Sequence, residues 1–200
     1  MRPLTLDDLL PLQEFARRRR EFFESLARYL DRYRRVRIGP RLTLLFENRQ
    51  TFWFRVQEIL RITRLNDPAR VQQELDLYNR LLPGRNELHA CLMLAATDEG
   101  HLADELAIWE NLRGDELCLC IGEGRWPACL VTCRPEDLAI GTAQWVRFAI
   151  SAEARRLLAN FRLSAWFDMT QPGYLQESAP LSQEVRQSLL DDLQLSDRDP

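Results

Sequence analysis

Nucleophiles, bases and metal ligands are few in this 200-residue chain: two histidines, His89 and His101, and five cysteines, Cys91, Cys118, Cys120, Cys129 and Cys133. His89-x-Cys91 sets both side chains on one face of a strand, where they could meet a metal, but Met93 and Ala95 continue that face and read as packed core. His101 falls in the first turn of an expected helix. Cys118-x-Cys120 and Cys129-x-x-x-Cys133 flank Glu123-Gly124. A two-residue turn there sets Cys118 opposite Cys129 and all four thiols on one side of a hairpin. Residues two apart on a strand stand ~6.5 Å apart, too far for neighbouring ligands of a tetrahedral Zn site unless the strand bends. Buried, reduced thiols are therefore expected, with no metal and no cofactor. The chain has no glycine-rich phosphate loop, nucleophile elbow, His-Glu-x-x-His or Cys-x-x-Cys. The reading leans away from an enzyme.

Polar and aromatic residues crowd one segment, Gly39 to Arg61. Leu42-Thr-Leu-Leu-Phe46 reads as a strand, and Asn48 as the N-cap of a helix from about 49 to 65. On that helix Phe52, Trp53, Val56, Ile59, Leu60 and Thr63 share one arc, while Phe54, Gln57, Glu58 and Arg61 lie together on the other side. An aromatic among three polar groups is either capped within the chain or offered to a partner, and the expectation taken is a docking face. Glu58 can also pair with Arg55 or Arg61 at i,i+3, a purely local use of these charges. Glu47-Asn48-Arg49 forms the alternative site: a strand-to-helix junction presents backbone N–H groups and Arg49 to a carboxylate or phosphate. Glu47, Arg49 and Glu58 would be the groups of any catalysis.

The elements that must hold these residues follow from periodicity. Residues 11 to 35 form a long amphipathic helix with Phe15, Phe22, Phe23, Leu26, Tyr29, Leu30 and Tyr33 on one arc. Its other arc pairs Arg17 with Glu21, Glu24 with Arg28 and Asp31 with Arg35, which leaves Arg18, Arg19, Arg20, Arg34 and Arg37 without a local partner. Asp67-Pro68 opens a helix to about Leu82, and Pro83-Gly84 stops it. Leu88 to Ala96 is apolar on both faces, as a central strand should be. A helix from Thr97 or Asp98 to Arg113 follows, then strands at 117–121, 127–133, 144–150 and 163–168. Ser151 caps a helix to Asn160, the segment Thr170 to Pro180 connects, and a last helix begins near Ser182. This predicts a single α+β domain with a mixed or mostly antiparallel sheet, a long Arg-rich N-terminal helix and several packing helices. Residues 1–10 and 194–200 are expected to be flexible.

Net charge is −3, yet all 27 basic residues are Arg, 18 of them in residues 1–85 against 11 Asp and Glu. The later residues carry 9 Arg against 19 acids. The two halves therefore attract each other, or the first half binds an anion. Pairing on the first helix argues against a phosphate-tracking stripe, so nucleic acid is not the expected partner. Asp7 and Asp8 interrupt the first apolar run, and no window reaches the length of a membrane span. A cytoplasmic protein is expected.

Leu6-Asp-Asp-Leu-Leu-Pro-Leu12, Leu42-Thr-Leu-Leu-Phe-Glu-Asn-Arg49 with Thr51, Val56-Gln-Glu58, Arg61, Glu74-Leu-Asp-Leu-Tyr-Asn79, Leu82-Pro-Gly84 and Glu87-Leu88 together form a pattern. In it the chain resembles the bacterial family called domain of unknown function 3501. The resemblance is specific over residues 4–95 and fainter beyond, at Trp145-Val-Arg-Phe148 and Pro172-Gly-Tyr174. It implies an accessory or interaction protein of the cytoplasm, whose relatives are often encoded beside rubrerythrin-like and iron–sulfur proteins. The implied partner is another protein, a redox enzyme. The candidate binding residues are thus Glu47, Asn48, Arg49, Phe54, Gln57, Glu58 and Arg61, with oligomeric state left open.

Overall fold

The computed structural model describes residues 1–95, 106–107, 109, 112–131 and 142–198. Its strands are β1 (Arg35–Ile38), β2 (Leu42–Glu47), β3 (Glu87–Leu94), β4 (Leu117–Ile121), β5 (Gly124–Val131), β6 (Ala143–Ala149), β7 (Ala165–Gln171) and β8 (Tyr174–Glu177). They form one sheet in the order β1-β2-β3-β6-β5-β4-β7-β8, with every neighbouring pair antiparallel. The described α-helices are α1 (Leu12–Tyr33), α2 (Arg49–Thr63), α3 (Pro68–Asn79), α4 (Ala152–Ala159) and α5 (Gln183–Arg198). This is the expected α+β fold.

The sheet curls until its edge strands meet, and Ile38 bridges Ser178. Tyr174 fastens this seam: its hydroxyl donates to the Ile38 carbonyl at 2.7 Å and accepts from the Arg41 N–H at 3.0 Å. Gly39 sits beneath it at φ +60°, where a Cβ would come within 2.7 Å of the Tyr174 oxygen and the Gln176 side chain. Only glycine fits both the backbone and the contact. β8 itself falls in the segment read as a connection. Pro172-Gly173 makes a two-residue turn with Gly173 at φ +85°, the geometry that a Pro-Gly pair supplies in a type II turn.

Alternation sorts side chains to two faces. The inner face carries Leu42, Leu44, Phe46, Leu88, Ala90, Leu92, Val146, Phe148, Leu119 and Phe167, and α5 adds Val185, Leu189, Leu190 and Leu193 to the same core. On the outer face of β2, β3 and β6, α2 and α3 lay down a second core of Phe52, Val56, Leu60, Val71, Leu75 and Tyr78. β3 lies beneath both layers, which explains its unbroken apolar run. Asn48 and Asp67 cap their helices as expected.

Three local expectations are corrected. The hairpin turns at Gly122-Glu123, so Ile121 faces Gly124 and Cys118 faces Pro127 rather than Cys129. The shift is by two residues, so Cys118, Cys120 and Cys129 still share a face; Cys133 lies outside the described residues. On α1, Arg18 rather than Arg17 meets Glu21, and Arg20 rather than Arg28 meets Glu24, while Asp31–Arg35 forms as expected. The first residues, expected to be loose, are tied in: Leu4 is buried and exchanges backbone hydrogen bonds with the Asn79 amide. The helix expected from Thr97 or Asp98 falls largely outside the described residues.

Arg186 of α5 is buried and, among the described residues, has no carboxylate partner. It donates instead to the carbonyls of Leu157, Leu158, Asn160 and Leu163 at and beyond the end of α4, where a helix C-terminus favours a cation. Arg186→Met leaves these carbonyls unpaired and is expected to cost about 2–4 kcal/mol in urea unfolding. Tyr174→Phe, which opens the seam, is expected to cost about 1–2 kcal/mol in the same measurement.

Candidate functional site

The 47–61 motif divides among three environments. Glu47, the last residue of β2, has a side chain wholly removed from solvent on the outer face, and Arg55 of α2 reaches its Oε1 at 2.5 Å. The Arg55 guanidinium also lies 5.1 Å from the centre of the Trp145 ring. Burial opposes the Arg55 charge, but Glu47 raises its pKa above the usual guanidinium value. Asn48 spends its side-chain oxygen on the N–H groups of Gln50 and Thr51. The junction therefore does not present those N–H groups to an anion, contrary to expectation. Arg49 turns the other way from Glu47 and meets Asp8 Oδ1 at 2.7 Å.

Phe54, Gln57, Glu58 and Arg61 were expected to face a partner. Instead α1 lies across this face. Phe54 is 9% exposed and packs against Phe15 and Phe23, with ring centres at 5.8 and 6.3 Å. Gln57 is completely buried. Glu58 is held by Arg19 of α1 at 2.7 Å and by Arg61 at 3.0 Å. The helical arc was read correctly, but its cover is this chain's own first helix.

Across the outer face, cross-strand neighbours form a polar row of Glu47, His89, Arg147 and Cys129 on β2, β3, β6 and β5. His89 Nδ1 lies 2.8 Å from the Leu81 carbonyl, and Nε2 lies 3.3 Å from Glu87, which also meets Arg147 at 3.4 Å. Burial holds the His89 pKa below its usual value, so the ring is neutral and its Nδ1–H donates to Leu81. Beside it burial pushes the Cys91 thiol up to about 12, against the pull of Arg55. The Cys120 thiol is raised for the same reason. These thiols are protonated at neutral pH. Among the described residues no three of His, Cys, Asp and Glu are placed to hold a metal. His101 lies outside the described residues.

The concave feature is on the opposite side of the junction. A cleft of about 1570 Å³ opens between α1, the start of α2 and α5. Tyr29, Tyr33, Trp53 and Phe161 wall it. Its floor is a buried network: Arg34 grips Asp192 with both terminal nitrogens, and the Tyr29 hydroxyl accepts from Arg34 Nε and Asn48 Nδ2 at 2.8 and 2.9 Å. Burial works against the Arg34 charge, but Asp192 and Tyr29 raise its pKa. Asn48 and Arg49 are the two expected site residues that reach this cleft; Glu47, Phe54, Gln57, Glu58 and Arg61 do not. Sequence reading missed Tyr29, Tyr33, Arg34, Asp191 and Asp192. The signal was Arg34, left without an acidic partner by the i,i+4 rule on its helix.

Glu58 supplies a pH test of the α1–α2 contact. Burial alone would raise its carboxyl, yet the hydrogen bonds of Arg61 and Arg19 hold it below the ordinary 4.5. The folded chain thus binds fewer protons than the unfolded one near that pH. The stability Glu58 contributes is present above 4.5 and lost as pH falls through its folded pKa. Denaturant unfolding of Glu58→Gln between about pH 3 and 6 is expected to show lower stability at the upper end and a shallower acid limb than the parent.

A family model described as "Protein of unknown function (DUF3501)" matches residues 3–193. No curated protein matches the chain. Among solved structures, the chain is similar to a novel protein of unknown function from Burkholderia pseudomallei K96243. The two are 27% identical with a TM-score of 0.87, and the match covers 96% of this chain and 100% of that one. Among the described residues no helix is long and apolar enough to cross a membrane. Matched by the family model over nearly its whole length, the chain belongs to the DUF3501 family.

Proposed function

We propose that the protein binds an organic ligand in the cleft between α1, α2 and α5. The observation that carries this reading is the cleft's size and lining. At about 1570 Å³ it exceeds the roughly 300–1,000 Å³ of common ligand pockets, and ring faces form its walls. A floor whose ion pair is already satisfied leaves no orphan charge for a ligand to desolvate, while the aromatic walls reward apolar burial. Asn48 and Arg49 act directly in this reading. Phe54, Gln57, Glu58 and Arg61 act by holding α1 against α2, and Glu47 by holding Arg55.

A specific observation favours a second reading, docking of a protein partner. Phe23 on α1 is 51% exposed beside Phe54, with the Arg19–Glu58–Arg61 cluster at its margin. An aromatic with a charged rim is the composition of an interface centre. The partner expected from the family resemblance is a redox enzyme of the cytoplasm, and Phe23→Asp is expected to weaken a complex with an iron–sulfur oxidoreductase by at least about tenfold. Unchanged affinity counts against this surface.

The cleft is tested by titrating aromatic acids and amines into ¹⁵N-labelled protein. The expected result is shifts concentrated on the Trp53 indole and the Gln50 and Gln187 side-chain amides. Ser188→Trp, which fills the cleft from α5, is expected to weaken binding at least about tenfold. Fragments that leave these signals unmoved would dismiss the reading.

A further inference from the structure

Charges around the cleft pair unevenly, and the imbalance has a direction. On the floor Arg34 and Asp192 answer each other. At the mouth near α2, Arg2 and Arg49 both bind one oxygen of Asp8, Oδ1, at 2.8 and 2.7 Å. The other Asp8 oxygen is taken by the Thr5 N–H and hydroxyl. One saturated carboxylate thus faces two guanidinium groups, so the two arginines carry one more charge than Asp8 answers. Arg49 Nη1 and the Nε and Nη1 of Arg2 have no partner among the described residues, so donors accompany that charge. On the α5 wall the imbalance is reversed. Glu184 meets Arg32 at 3.8 Å, whereas Asp191 receives, among the described residues, only a hydrogen bond from Gln187 at 2.8 Å. A surplus negative charge stands there.

We infer that the ligand is zwitterionic, of the class of a short peptide, with its carboxylate between Arg2 and Arg49, its amine at Asp191 and its apolar body against Trp53, Tyr33 and Phe161. This rests on the cleft being the binding site. A carboxylate brings the single charge that Asp8 leaves unanswered on Arg2 and Arg49. A single amino acid would leave much of the volume unfilled. The free Nη1 groups of Arg2 and Arg49 can each donate to one oxygen of a carboxylate, and ring faces accept side chains of varied size.

The test uses three probes, the tripeptide Ala-Phe-Ala, its C-terminal amide and its N-acetyl form, followed by the shift of the Trp53 indole. The free tripeptide is expected to bind at least about tenfold more tightly than either blocked form. Arg49→Met is expected to abolish its advantage over the amide while keeping that over the acetylated form, and Asp191→Asn to do the reverse. Equal binding of all three, or no binding of the free tripeptide while aromatic fragments still bind, overturns the inference and leaves the cleft reading intact. Tripeptide binding that Ser188→Trp does not weaken would overturn both.

Discussion

An antiparallel sheet whose two faces both carry large apolar side chains has to be covered twice, and that demand organises this molecule. Curling buries the inner face against itself and α5. The outer face of β2, β3 and β6 cannot be buried that way, so α2 and α3 cover it. Alternation then decides where each polar residue goes. Glu47, His89 and Cys91 fall on the outer side beneath these helices. Burial keeps the His89 ring and the Cys91 thiol neutral, and the Glu47 carboxylate is met by the Arg55 guanidinium. Glu47, His89 and Cys91 resemble a catalytic set in composition, yet they lie buried between sheet and helices.

The cleft arises from the same arrangement. With α2 committed to the sheet, its opposite side is left for α1, and Phe15, Phe22, Phe54 and Trp53 form the contact. α1 and α5 then stand apart above the start of α2, joined at the bottom by Arg34 and Asp192. A buried ion pair is a poor source of net stability, because desolvation offsets most of the attraction. It is a good means of fixing position, since either charge left alone would be costly. At this place it holds two helices at a set separation, and the separation is the cleft.

Much of the fold was legible in the chain. Asn48 and Asp67-Pro68 marked helix starts by cap chemistry, and the unbroken run of β3 announced a strand covered on both sides. These signals are local, carried by a few adjacent residues. The short β8 was not read, because four residues with one buried side chain hardly differ from a loop, although Pro172-Gly173 is itself a turn signature. The site was legible in part. The two arcs of α2 were separated correctly, but periodicity does not say what lies over an arc, and so Phe54 and Gln57 were expected in the open. Arg34 and Asp192 are 158 positions apart, and no local rule connects them.

That span bears on the order in which the protein is made. During synthesis α1, the sheet strands and α2 all leave the ribosome before Asp192 does, and the Arg34 guanidinium must wait in water until α5 arrives. The cleft therefore takes shape only after α5 is made, later than the sheet beside it. A chain without α5 can build much of its hydrogen-bonded scaffold, yet its cleft has no floor, so the geometry of that hollow reports whether the last helix has docked.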